Sequence, residues 1–482
     1  MGFTTQIFMY AFFPLFLLMY FLLNYIESVG KIGAVFVKCR IKDLSIIAAS
    51  FVFYVFAGII GVVQLLFLIV LMYVLARIID CKRDNKKVAK VVYIVGICLL
   101  VSNLIYYKYA GFIVSNIIGL FRENPVMLKI MGPLGISFIT FSAISYLTDV
   151  YRKDATAGSF IDCVLYVTFF PKIVSGPIVL WKNFQNQIST RVSDTDKIIN
   201  GINRIMIGVA KKVLLADVFG KVVDSMSLGF IDQPTAFLAI VLYWLQIYFD
   251  FSGYSDMAIG ISGIMGFEFD ENFNFPYRSM SISEFWRRWH ISLGTWFRQY
   301  IYFPLGGSRK GKTRTMINLG VVFALTGIWH GAGWNYILWG AANGILVIVE
   351  HMIADKEFYK NVPNWIKHVV TTIIVACSWQ LFKYQSIKQA AKSVLTALGI
   401  LKADTVFYTW QYYLNNRLIL FMIIAIIGAT FMGNKKVKEI YDNAVKTKTG
   451  YIVQEFALML IFAVSLIFMI SSTYSPFIYF QY

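Results

Sequence analysis

The sequence predicts an all-α polytopic membrane protein, folded as a single domain over residues 1–482. Three observations carry that expectation. Of 482 residues, 58% are hydrophobic and 17% aromatic, with a mean hydropathy of +0.65, far from the composition of a soluble domain. Apolar stretches of about 20 residues, the length that spans a hydrocarbon core, recur along the chain. Lys plus Arg number 44 against 26 Asp plus Glu, a formal net charge of +18. Much of that excess falls between apolar stretches, as the positive-inside bias and anionic lipid require. The charge is therefore read as loops beside a lipid bilayer, and no nucleic acid is expected. Cys39, Cys81, Cys98, Cys163 and Cys377 have no paired spacing, and only four histidines are present. Neither a disulfide framework nor a metal site is expected.

In chain order, residues 6–26 form a first crossing with no basic residue before Lys31, so no cleavable leader is expected and the N-terminus is placed outside. Residues 45–79 are too long for one helix and are interrupted at Gly58 and Gly61. A crossing follows at 91–107, and 111–121 is too short to span. Within 126–150, Pro133 and Gly135 precede Ser137, Thr140, Ser142, Ser145 and Thr148, which read either as a cavity wall or as helix-packing hydroxyls. Residues 169–180 hold Pro171, Gly176 and Pro177 and cannot be a regular helix. Broken backbone at membrane depth requires burial in protein or a wet cavity. Residues 187–197 read as an aqueous loop and 198–213 as an amphipathic interfacial helix. Residues 237–265 span, carrying Gln246, Asp250 and Tyr254 on one face, and Asp256. The two carboxylates are expected either to pair with an arginine of 278–314 or to line a reaction chamber. Later crossings fall at 369–382, 418–432 and 452–470. With no internal repeat or linker, the length rule gives roughly ten to twelve crossings.

The stretch 277–351 is the centre of the reading. Its first part is basic and aromatic; its second is read as an apolar helix with His330 near the middle, where a buried imidazole marks a functional site. Gly327, Gly331, Ala332 and Gly333 leave room beside His330, and Trp329 and Trp334 flank that room. Gly340 and Gly344 read as helix packing. Ser281 and Glu284 form a capping box; Glu284 pairs with Arg288, Phe285 stacks on Trp289, and Trp286 shares a face with His290. That places His290 near the membrane interface and His330 deeper. Arg278, Arg287, Arg288, Arg298, Arg309, Lys310, Lys312 and Arg314 are either a cytoplasmic loop's bias or a site for the phosphates of a nucleotide-bearing donor. A buried histidine without a Ser or Cys nucleophile motif points to general-base work on an incoming hydroxyl. The tryptophans would exclude water. Asn318 or Asn335 is either an oxyanion donor or a packing amide.

WRRWHISLGTWFRQYIYFPLGG at 286–307, followed by GIWHGAGWNYILWG at 327–340, resembles the membrane-bound O-acyltransferase superfamily in its bacterial alginate and peptidoglycan O-acetylation branch. PLGISFITFSAISYLTDVYR, FFPKIVSGPIVL, GVAKKVLLAD, LQIYFDFSGYSDMAIGI and the terminal FIYF extend the resemblance from residue 133 to the C-terminus, with the core motifs at about 133–351. The first hundred residues match only in hydropathy. The resemblance implies re-entrant and interfacial helices around a central tunnel, with His330 as catalytic histidine and His290 as the second. Arg287, Arg288, Trp286, Trp329, Trp334, Asn318 and Asn335 are substrate-binding candidates. It also implies acetyl-CoA as donor substrate with no tightly bound cofactor, and a bacterial plasma-membrane location. Transfer to an extracellular polysaccharide or peptidoglycan would use a separate SGNH-type acetyltransferase. Tyr479 is either a transient acyl carrier or an interfacial aromatic anchor. The alternatives are D-alanyl transfer to teichoic acid from a carrier protein, a proton-coupled transporter, and a scaffold for a polysaccharide synthase.

Overall fold

The computed structural model describes residues 2–29, 35, 37, 39–120, 130, 132–226, 230–403 and 405–471. Among them the structure is helical, with one isolated antiparallel bridge, Phe273 to Trp289. Eight helices are long and apolar enough to cross a membrane: Phe8–Glu27, Ile59–Cys81, Lys86–Gly119, Gln233–Ile264, Trp334–Ile353, Asn364–Lys383, Asn416–Gly433 and Lys448–Ser471. Helices Ile41–Val55, Ile136–Arg152 and Lys312–His330 are shorter or more polar and are not among these eight. The chain forms two compact units, Met1–Ile202 with Ala258–Asp270, and Asn203–Met257 with Glu271–Tyr482. No linker marks the division, which falls inside helices Thr195–Ala210 and Gln233–Ile264.

In the first unit the chain breaks at Gly58, whose φ of +120° is open to glycine and strained for other residues, but not at Gly61, which lies within helix Ile59–Cys81. Residues 91–107 and 111–121 are not separate: one helix runs Lys86–Gly119. The lone Gly111 does not end it, because glycine weakens a helix without removing a hydrogen bond. Helix Ile136–Arg152 starts after Gly135, at φ +71°, where a Cβ would lie 2.4 Å from the Ile173 carbonyl oxygen. Its hydroxyl face is tied to the protein. Thr140 donates to the Ile136 carbonyl at 2.8 Å, Ser142 accepts from Lys172 at 3.1 Å, and Ser145 accepts from the Trp181 N–H at 2.9 Å. These bonds favour the packing role over a cavity wall. Residues 169–180 are irregular as expected, with one 3-10 turn at Phe170–Lys172, and every residue is buried. Burial in protein is what lets this backbone leave the helix.

The carboxylates of Gln233–Ile264 find partners the sequence did not indicate. Asp256 holds Arg204 at 2.9 Å and Lys211 at 2.6 Å, and Asp250 holds Lys212 at 2.8 Å. None of these bases comes from 278–314. The cause is the contact of Gly208 with Gly253, where a Cβ on Gly208 would meet the Gly253 carbonyl at 2.6 Å. Two glycines let the backbones approach, and the bases that follow Gly208 arrive beside the acids.

Residues 312–353 depart from the continuous helix that the sequence suggests. The apolar stretch is not one helix with His330 in its middle. Helix Lys312–His330 ends at the histidine, and the chain turns through Gly331, Ala332 and Gly333 into Trp334–Ile353. A Cβ on Gly327 would lie 2.6 Å from the Tyr336 carbonyl oxygen, and one on Gly340 2.6 Å from that of Phe323. The hairpin therefore closes on itself by glycine contact, as expected for Gly340. A Cβ on Gly344 would lie 2.9 Å from the Phe323 side chain. The room expected beside His330 is filled at Gly331 by the Tyr336 ring.

Candidate active site

The site is assembled in the second unit, on residues 272–297 and on the hairpin end. Ser281 accepts from the Glu284 N–H at 3.1 Å, and Glu284 reaches back to the Met280 N–H at 2.9 Å. Glu284 also accepts from Arg288 at 2.9 Å. Phe285 stacks on Trp289 with ring centroids 5.5 Å apart. The Ser281 cap, the Glu284–Arg288 pair and the stacking follow the sequence reading, but the capping box does not close, because Glu284 takes the N–H of Met280 instead of that of Ser281. The short helix stops at Arg288, however, and is tied to 272–274. Asn274 donates to the Arg288 carbonyl at 2.9 Å and Ile291 to the Asn272 carbonyl at 3.0 Å.

His290 follows with φ +48°, a left-handed backbone that a side-chain-bearing residue adopts rarely. It therefore lies off the helix face of Trp286, contrary to the expected pairing. Its side chain is enclosed by protein, 2% exposed. Its Nδ1 lies 3.1 Å from Asn272 Oδ1, which also accepts from the Ser292 N–H at 3.3 Å and the Ser292 hydroxyl at 2.9 Å. Phe251 meets the ring edge-on at 4.7 Å. Among the described residues Nε2 has no hydrogen-bond partner, and neither has Asn272 Nδ2. Burial pushes the imidazole down to about 3, so it is neutral.

His330, 6% exposed, ends its helix inside an aromatic box. Trp339 stands perpendicular at 5.0 Å, Phe382 at 4.9 Å and Trp329 at 4.8 Å. The Trp329 ring lies 6.2 Å from His290, so one indole bridges the two histidines. Trp286 packs edge-on to Trp339 at 5.4 Å. The buried indole N–H groups of Trp286 and Trp339 have no acceptor among the described residues.

The remaining candidates separate. Trp334 is 58% exposed. Asn318 donates to the Gly307 carbonyl at 2.9 Å and Asn335 to the Leu381 carbonyl at 3.0 Å. Both amides hold backbone, as the packing alternative of the sequence reading expects. Arg288 is engaged by Glu284 and by the Asn274 carbonyl at 3.1 Å. Arg287, Arg298, Arg309, Lys310, Lys312 and Arg314 are exposed. Tyr479 lies outside the described residues.

Sequence reasoning missed Asn272, Ser292, Trp339 and Phe382. Asn272 had one local signal, a polar residue in an aromatic run just upstream of Tyr277. Phe382 had none, because it arrives on helix Asn364–Lys383.

Comparison with known proteins places this arrangement. The profile of MBOAT, the membrane-bound O-acyltransferase family, matches residues 49–355. Similarity thus reaches further toward the N-terminus than the motifs beginning at residue 133. A probable alginate O-acetylase AlgI of Pseudomonas aeruginosa is 33% identical, with 100% of both chains covered. A peptidoglycan O-acetyltransferase of Helicobacter pylori is 31% identical over 83% of this chain and 80% of its own. A teichoic acid D-alanyltransferase of Bacillus subtilis is 28% identical over 59% of this chain and 81% of its own. With eight helices among the described residues long and apolar enough to cross a membrane, the chain is a multi-pass membrane acyltransferase and belongs to the membrane-bound O-acyltransferase family.

Proposed function

We propose that the chain takes an acetyl group from a cytoplasmic thioester, acetyl-CoA, and passes it across the bacterial plasma membrane for O-acetylation of an extracellular polysaccharide or peptidoglycan. The observation that carries this reading is the pair of buried histidines joined through Trp329 in an aromatic surround. Such a surround excludes the water that would hydrolyse a thioester. The similarity to an alginate O-acetylase and a peptidoglycan O-acetyltransferase supports the acetyl group and the class of acceptor.

In this mechanism His330 removes the proton of an incoming hydroxyl as its oxygen attacks the thioester carbonyl. The new C–O bond forms, the C–S bond breaks, and the proton passes from the imidazole to the leaving thiolate. His290 is the second histidine of the site. The donor's phosphates meet exposed arginines of 278–314, Arg287 foremost, since Arg288 is already paired. A separate SGNH-type acetyltransferase on the outer side completes the transfer, and Tyr479 is the candidate carrier between the two.

The test is CoA release and protein labelling from radiolabelled acetyl-CoA, using purified protein in nanodiscs. Wild type should turn over and a folded His330→Ala should not. Unchanged turnover in His330→Ala removes the proposed base. The similarity to the D-alanyltransferase supports a second reading. Turnover with a carrier-bound D-alanyl thioester, and none with acetyl-CoA, selects it.

A further inference from the structure

The two histidines differ in how their protons are held, and for His290 the geometry fixes the answer. The Asn272 amide has one end that only accepts and one that only donates. The end facing His290 also faces the Ser292 backbone N–H at 3.3 Å, a donor that cannot be reversed. Turning the amide over would set its NH2 against that N–H, so the network places oxygen there. The Ser292 hydroxyl, 2.9 Å away, gives its own hydrogen to the same oxygen. His290 Nδ1, at 3.1 Å, must then carry the ring proton, which leaves the lone pair on Nε2.

That lone pair is buried and has no donor among the described residues. The ring is flanked by Phe251 and Trp329 as well as Asn272, and none of these three titrates. No described Asp or Glu forms an ion pair with it. The left-handed backbone at His290 adds local strain that is retained to hold the ring in this place.

We infer that Asn272 is a positioning residue that locks His290 in its Nδ1–H form, so that Nε2 can only accept a hydrogen bond from a substrate N–H or O–H. A neutral His290 held this way cannot donate to the thioester oxygen or to the oxyanion it becomes. The donor group on the substrate is either an amide N–H of the acyl-donor arm or a hydroxyl of the acceptor that is not the reacting one. No proton is transferred at His290; it orients. This second half rests on the acyl-transfer reading, whereas the tautomer does not.

The experiment keeps the two apart. Nitrogen-15 NMR of histidine-labelled full-length protein in nanodiscs reports which ring nitrogen is protonated. With four histidines in the chain, subtraction of a His290→Gln spectrum assigns the signal. Wild type should show Nδ1–H, Asn272→Asp should keep it, and Asn272→Ala should lose it. Protonation at Nε2 in the wild type overturns the inference whether or not acetyl-CoA is the substrate.

In the transfer assay, Asn272→Ala should lower kcat/KM roughly 10–100-fold, the usual effect of losing a residue that orients a functional histidine. A raised KM for acetyl-CoA identifies the donor-arm amide, and a raised KM for the acceptor identifies the hydroxyl. Asn272→Asp should retain activity, with the acid limb of its pH profile moved to higher pH, because the carboxylate stabilises imidazolium. An Asn272→Ala protein that loses the tautomer yet keeps wild-type kcat/KM refutes the orienting role.

Discussion

The glycine hairpin that ends in His330 makes a prediction that separates packing from composition. Gly320 and Gly327 lie on the same helix, two turns apart. A Cβ at Gly320 would meet only the Ile348 Cδ1 at 3.7 Å, an ordinary contact. A Cβ at Gly327 would lie 2.6 Å from the Tyr336 carbonyl oxygen and 3.0 Å from the Gly340 Cα, both backbone atoms that cannot rotate away. Gly320→Ala should therefore be neutral or stabilising by up to about 1 kcal/mol, from helix propensity. Gly327→Ala should cost about 1–3 kcal/mol, the range of overpacked sites. Because Gly327 precedes His330 by three residues, prising the hairpin open also moves the imidazole against Trp339 and Phe382. The stability loss should come with reduced turnover. Gly340→Ala should behave like Gly327→Ala, since its Cβ would lie 2.6 Å from the Phe323 carbonyl oxygen. The double variant should cost less than the sum, because one displacement of the hairpin relieves both clashes. Thermal unfolding in one detergent, followed by tryptophan fluorescence, ranks the four proteins. Equal stability of Gly320→Ala and Gly327→Ala would show that the hairpin is not held by backbone contact.

Three further outcomes follow from named contacts. Lys212→Met leaves Asp250, whose side chain is 1% exposed, without its cation and should cost about 3–5 kcal/mol. Lys212→Met with Asp250→Leu should recover part of this, which unfolding of both proteins measures. Arg288→Ala should lower stability by breaking the pair with Glu284, whereas Arg287→Ala, on an exposed side chain, should raise KM for acetyl-CoA with stability unchanged. For His290 the folded pKa lies below the unfolded value of about 6.5. The unfolded chain therefore binds a proton first, and stability present above that pH is lost as pH falls toward 3. The slope is at most about 1.4 kcal/mol per pH unit for one proton. Apparent melting temperature against pH should fall faster for wild type than for His290→Gln, and parallel curves would show that the ring is not buried neutral.

What could be read from the sequence was local. Gly58 and the Pro171 to Pro177 segment break helices by their own backbone chemistry, so both interruptions were legible and both are present. The Ser281 cap and the Glu284–Arg288 pair depend on residues three and four apart, and they formed as read. The errors share a different origin. Gly331, Ala332 and Gly333 lie within one apolar stretch, and glycine alone does not end a membrane helix. Whether they turn or continue is decided by a partner, and here Gly340 closes on Gly327. The cations of Asp250 and Asp256 were sought in the arginine-rich stretch, the largest nearby charge in sequence. The Gly208–Gly253 contact delivered closer ones from Lys211 and Lys212. Asn272 was passed over for the same reason. An asparagine in a loop carries no periodicity, and its importance appears only when His290, eighteen residues later, turns back on a left-handed backbone to meet it. In this chain the motif residues mark the candidate site. The groups that orient those residues are brought to them by glycine contacts and irregular turns, whose pairing no single stretch of sequence displays.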